Sequence, residues 1–409
     1  MTLRRSVTLK SMSGFCLALL SFAGFASAQQ QKLTPTFASA SATDAAGHAI
    51  SASQAAANSD LQTFTYTVQS SRDGNTYTGT MVGTTPFGAD FPSTTVNTVL
   101  IPVILTTNTI AVKITKGNVI TTKHGTTTFD PTVAQDACLK APNDVPLTLM
   151  EQSPIFQSEP FSFGPTNVGT TQYTDAFQRA NFWKFVGGTG YHTLLSSPNV
   201  LAPVSLSISG NQGLALPAAA FGGCAPLAIV DLNVMSRQIF NQVLESAGVN
   251  SSQLPILLFY NTVMSTQAGD LKHCCILGFH AAVTQQPQAK VQTYAFIDFD
   301  QSGAFGPSVS DTVTAAHEVG EWMDDPFGNN PTPAWGNTGQ VVGACQSNLE
   351  VGDPLTTNVP GVTGANGFTY NLQELAFFSW FYGAPSIAAN GWFSDNNTFT
   401  TDAGPVCKK

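Results

Sequence analysis

His317, Glu318 and Glu321 stand in the segment Ala316-His317-Glu318-Val319-Gly320-Glu321-Trp322-Met323-Asp324-Asp325-Pro326, and their types and spacing suit one kind of chemistry. On a helix of 3.6 residues per turn, Glu321 lies about 40° around the axis from His317, so an imidazole and a carboxylate can close on one ion. Glu318 lies about 100° away, beside them. A carboxylate next to an ion is placed to take a proton from water that the ion acidifies. With 6 His and 7 Glu in 409 residues, this pattern arises by chance about 0.002 times per chain, which makes coincidence a weak explanation. The competing readings are structural: a hydrogen-bonded His–Glu pair on a helix ending at Pro326, or a former metal site.

The motif resembles the H-E-x-x-H of zinc peptidases, with Glu321 where the second histidine stands. A helix (233–247), strands and then a motif helix is the layout of zincin-type metallopeptidases, and the resemblance covers roughly residues 233 to 355. It implies a bacterial-type metallopeptidase with Glu318 as catalytic base and with His317 and Glu321 as metal ligands. In the gluzincin branch the third ligand is a later Glu, and Glu350 in Asn348-Leu349-Glu350-Val351-Gly352-Asp353 matches that role by distance, with Asp353 one turn on. Four of the seven Glu (318, 321, 350, 374) fall within one 57-residue stretch, which suggests a shared task. His280 is an alternative nitrogen ligand if its strand passes above the helix, though a lone His in an apolar strand also reads as a hydrogen-bonded core residue. Asp324 reads as an outer residue that orients a neighbour.

Two carboxylates and one imidazole neutralise a divalent ion, so bound water is less acidified than with three neutral ligands. Oxygen-rich ligation widens the choice from zinc to manganese, iron or calcium. Glu318 would deprotonate the attacking water and pass the proton to the leaving amine. Tyr370 or His280 would stabilise the oxyanion. The resemblance implies peptide-bond hydrolysis, with an extracellular peptide or protein as substrate; the residue chemistry alone does not single out peptides over other acyl compounds.

The elements that must position these groups read as follows. Residues 61–130 form a β-rich region, with strands at Phe64–Val68 and Val96–Leu105 and a hairpin through Gly117-Asn118. Pro102 inside the second run suggests an edge strand or bulge. Asp130-Pro131 opens a helix running to about Lys140. Further helices are expected over 175–185 and 233–247, and strands over 203–209, 255–260, 276–283 and 292–299. The motif helix spans about Asp311 to Asp324, and Asp325 leaves helical geometry because it precedes Pro326. The fold expected is α+β: an N-terminal antiparallel β region, then a zincin-like mixed domain over 131–409 whose metal-site helix packs on a sheet.

Arg4, Arg5 and Lys10, the apolar run Phe15–Phe25 and Ala26-Ser27-Ala28 read as a signal peptide over residues 1–28, hence a secreted protein. Residues 29–60, rich in Ala, Ser, Gln and Thr, read as a flexible leader. Losing the signal takes the formal charge from −9 to −12, which argues against nucleic acid and anionic membrane as partners. No later segment reads as a membrane span; Leu214–Val234 is broken by Pro217, Gly222, Gly223, Pro226 and Asp231. Six cysteines remain (Cys138, Cys224, Cys274, Cys275, Cys345, Cys407), an even number that favours disulfides in an exported chain. Cys274 and Cys275 are expected to pair with different partners, or to join His273 in a second metal site. A different class of function stays open: a secreted binding or cell-surface protein with a structural or vestigial ion, displaying Trp335, Trp380 and Trp392. A Ser-His-Asp hydrolase finds no G-x-S-x-G elbow.

Overall fold

A run of β-branched and apolar residues makes Thr94–Thr115 a strand of 22 residues and the hub of the fold. Val99, Ile101, Val103 and Leu105 point to one face and Leu100 to the other, so the strand is buried on both sides. The computed structural model describes residues 33–44, 46–115, 118–134, 144–208, 212–244, 247–267, 273–285, 289–336 and 345–401. The expected signal peptide and most of the helix expected over Asp130–Lys140 lie outside them.

Eight strands matter for the site: β1 (Thr36–Thr43), β2 (Thr94–Thr115), β3 (Gly213–Leu216), β4 (Leu227–Asp231), β5 (Gln253–Tyr260), β6 (Thr262–Ser265), β7 (Cys274–Gln285) and β8 (Lys290–Phe299). They pair in the order β7-β6-β4-β3-β2-β5-β8, and β8 returns antiparallel to β7, closing a seven-strand barrel within the larger sheet. All seven send side chains into one apolar cluster, among them Ala215, Val230, Phe259, Met264, Ile276 and Phe296, which identifies the inner face. Residues of opposite parity, such as Ile256, Leu258, Ala295 and Ile297, join Ala315, Val319 and Trp322 of the motif helix (Val313–Asp324) in a second core outside the barrel.

The α+β, zincin-like architecture expected from the motif is therefore corrected: the chain is mostly β, 40% strand and 20% helix, built on a closed barrel. Local periodicity located β2, β5, β7 and β8 but not β1, β3, β4 or β6, and not the pairings between them. Closure depends on pairings between distant segments, such as β2 with β5 in parallel, Ile101 opposite Leu257. That pairing also joins the first β-rich region and the later segment in one sheet.

Other expectations fare differently. The hairpin is present, with Thr115 opposite Asn118. Pro102 is not on an edge strand. It sits between the point where Asn199–Val200 leaves β2, at Leu100, and the point where Val204–Ile208 joins it, at Val103, and such a gap accommodates a residue without an N–H. The 175–185 helix is split into Tyr173–Asn181 and Trp183–Val186. Residues 33–44 and 46–57, expected within a flexible leader, are built into the fold: β1 lies parallel to β7, and the helix Ala52–Ala57 starts at a Ser51–Gln54 capping box. Cys274 and Cys275 are joined to each other, not to different partners, while Cys224 and Cys345 are disulfide-bonded. Among the described residues no helix is long and apolar enough to cross a membrane.

Candidate metal centre

Two elements bring the motif to its partners. The motif helix packs outside the barrel against β7 and β8. In β7, Phe279 and Ala281 point into the barrel, so strand alternation turns His280 outward to the helix. Gly278, one alternation earlier, permits the approach: a Cβ there would fall 2.7 Å from Glu318 Oε1 and 2.5 Å from Thr314 Cγ2. Every residue of the helix is buried. It ends as expected, with Asp325 at φ −142° ahead of Pro326.

Around the helix, His317 Nε2 lies 3.0 Å from Glu321 Oε1 and 3.6 Å from Asp353 Oδ1. His280 Nδ1 lies 3.3 Å from Glu318 Oε2 and 3.6 Å from Glu321 Oε2. Glu350 touches Glu321 and accepts from Asn348 Nδ2. Glu321 Oε1 also accepts from the backbone N–H groups of Gly352 and Asp353, at 3.1 and 3.2 Å. Two triads result, His280–Glu318–Glu321 and His317–Glu321–Asp353, each with its ligand atoms within 4.8 Å of one another. Metal–ligand bonds of about 2.0–2.3 Å span such a spread around one ion.

The protonation of both imidazoles follows from their outer partners. Gln373 Nε2 donates to the Gly352 carbonyl at 2.6 Å, and a carbonyl can only accept, so Gln373 turns its oxygen toward His317 Nδ1, 3.0 Å away. His317 then carries its proton on Nδ1 and aims the Nε2 lone pair at Glu321 and Asp353. In His280, Nε2 faces the Asp325 carbonyl at 3.1 Å and must donate to it, which leaves the Nδ1 lone pair facing Glu318 and Glu321. Lone pairs facing carboxylates repel unless a cation or a proton lies between them. Among the described residues, His317 Nε2, Glu318 Oε1 and Glu350 Oε2 are buried without a hydrogen bond; Glu321 Oε1, though near His317 Nε2, is not aligned to make one.

Burial lowers His317 to about 4 and His280 to about 3, so both are neutral at pH 7. Burial and then repulsion from neighbouring carboxylates, Asp353 in the case of Glu321, push Glu318, Glu321 and Glu350 well above the usual carboxylate range. These five groups and Asp353, gathered in one dry cluster, are the environment that a divalent cation stabilises.

The residues read from the sequence are thus distributed as follows. His317, Glu318 and Glu321 come together, His280 joins them, and Glu350 abuts Glu321 while Asp353 completes the His317 triad. Asp324 stays outside, taking bonds from Gln178 and Asn181. Glu374 has a separate task, accepting from Ser394, Asn396 and Thr398, so the crowding of Glu was partly misleading. Tyr370 is bound to Asn366. Trp335 and Trp380 are core residues. Gln373 and Phe37 were missed, since neither carries a motif; Phe37 stacks on the His317 ring.

No protein-family model matches the chain, and neither curated proteins nor solved structures yield a significant match.

Proposed function

We propose that this chain is a secreted metal-dependent hydrolase of peptide or related acyl bonds, with its ion held through His317, Glu321 and the neighbouring carboxylates. The observation that carries this reading is the pair of inward imidazole lone pairs, each fixed by an outward N–H bond and each facing carboxylates. A divalent ion bound there would polarise a carbonyl and acidify water. Glu318, whose Oε1 makes no hydrogen bond, is the group that takes a proton and returns it to the leaving amine. Neutral His280 and His317 remain available as nitrogen donors, and Gln373 holds the second in its tautomer.

Access is the condition on this reading. All six groups are at most 1% exposed, and β1 lies over the site with Phe37 on the His317 ring. A substrate-competent form must displace β1 from the edge of β7, which an extended peptide could then occupy. The same burial favours a second reading, a structural ion in a binding or cell-surface protein. Cleavage of a mixed peptide pool, before and after limited proteolysis within residues 29–60, separates the two. Cleavage that disappears in Glu318→Gln while the metal stays supports the hydrolase. Bound metal with no cleavage in any form supports the structural ion.

A further inference from the structure

We infer that the site holds two divalent cations bridged by the Glu321 carboxylate. The inference rests on the metal-site reading above and concerns how many ions it takes. Glu321 turns its two oxygens to different imidazoles: Oε1 toward His317 at 3.0 Å and Oε2 toward His280 at 3.6 Å. The two histidines fall in separate triads that share only Glu321. One ion would meet His317 Nε2, Glu321 Oε1 and Asp353 Oδ1; the other would meet His280 Nδ1, Glu321 Oε2 and Glu318 Oε2.

The number of donors makes the same point. Glu318, Glu321, Glu350 and Asp353 bring four carboxylates into a volume with at most 1% exposure. Their imidazole neighbours are neutral, because each carries one proton and directs it outward, to Gln373 or to the Asp325 carbonyl. Together with His280 and His317 the four carboxylates are more donors than one four-coordinate ion takes, and the two imidazole nitrogens belong to different triads. Glu350 Oε2, buried without a hydrogen bond beside Glu321, is a further oxygen within the cluster, and Glu318 Oε1 stays free to carry a proton. In the hydrolase proposed above, such a pair would let one ion polarise the scissile carbonyl while the other acidifies the attacking water.

The test uses the full mature protein, stripped with a chelator and titrated with Mn²⁺. Bound metal is counted by elemental analysis, and spin coupling is read by electron paramagnetic resonance. Two equivalents per chain, an exchange-coupled Mn²⁺ spectrum and one equivalent in either His280→Ala or His317→Ala are expected. If a variant misfolds, the wild-type count and coupling still decide. Saturation at one equivalent, with an uncoupled spectrum, overturns the bridged pair and leaves the single-ion reading in place. No binding at all overturns both.

Discussion

Phe37 of β1 lies flat against His317 of the motif helix, with ring centroids 3.6 Å apart and planes 16° from parallel. On its other side His317 meets Gly352, where a Cβ would come within 2.5 Å of Nδ1. The imidazole is thus held between an aromatic face and a bare backbone, while Gln373 sets its proton. Phe37 is the removable wall. Phe37→Ala should cost roughly 3–5 kcal/mol of stability as a buried aromatic truncation, and should speed the stripping of bound metal by a chelator. An unchanged stripping rate would show that β1 does not gate the site.

Gln373 tests the proton assignment. Gln373→Leu removes the acceptor for His317 Nδ1, and metal affinity should fall roughly 10- to 100-fold. Gln373→Glu keeps an acceptor for Nδ1 but loses the donor to the Gly352 carbonyl, and should recover only part of it. Equal affinity in both variants would mean that His317 is oriented by packing alone.

Gly278 tests the approach of helix and strand. Gly278→Ala places a methyl against Glu318 and Thr314, an overpacking that costs about 1–3 kcal/mol. It should also lower metal content, because Glu318 is pushed from His280. Full metal content at wild-type melting temperature would contradict the geometry.

Catalysis by the proposed hydrolase depends on Glu318 as the proton carrier. Glu318→Gln should reduce kcat by roughly 10²- to 10⁴-fold with the metal partly or wholly retained. A variant as active as wild type would remove Glu318 from the mechanism.

Acid should stabilise the region where β8 leads toward the motif helix. Burial, partly offset by the Ser302 hydrogen bonds, raises Asp300 to about 7, and burial raises Asp311 to about 6, from an ordinary 3.8. Between about pH 4 and pH 7 the folded chain therefore binds more protons than the unfolded chain, so this contribution to stability declines as pH rises. Asp300→Asn keeps a neutral group there. It should flatten the fall in melting temperature between pH 5 and pH 7.5, compared with wild type at equal metal load. An unchanged slope would show that Asp300 is ionised across that range.

The helix, its end at Pro326 and the pairing of His317 with Glu321 were legible because all three rest on local spacing. So were β5, β7 and β8, whose apolar runs are continuous or alternating. The barrel was not legible, since it is closed by β7 meeting β8 on one side and by β2 lying between β3 and β5 on the other. His280 was visible only as a possibility: its role depends on which face of β7 meets the helix, and that depends on the barrel. Asp353 and Gln373 reach His317 from 36 and 56 residues away, across turns whose course no short motif encodes. Residues 36–43 and 52–57 misled by composition, because small polar residues suit an added strand or a short helix as well as a loose arm.

Elemental analysis of the purified mature protein beside its His317→Ala variant tests the central claim most directly. The geometry predicts at least one equivalent of zinc, manganese or iron per wild-type chain, reduced in the variant. Metal-free wild-type protein that stays metal-free after incubation with these ions would contradict it.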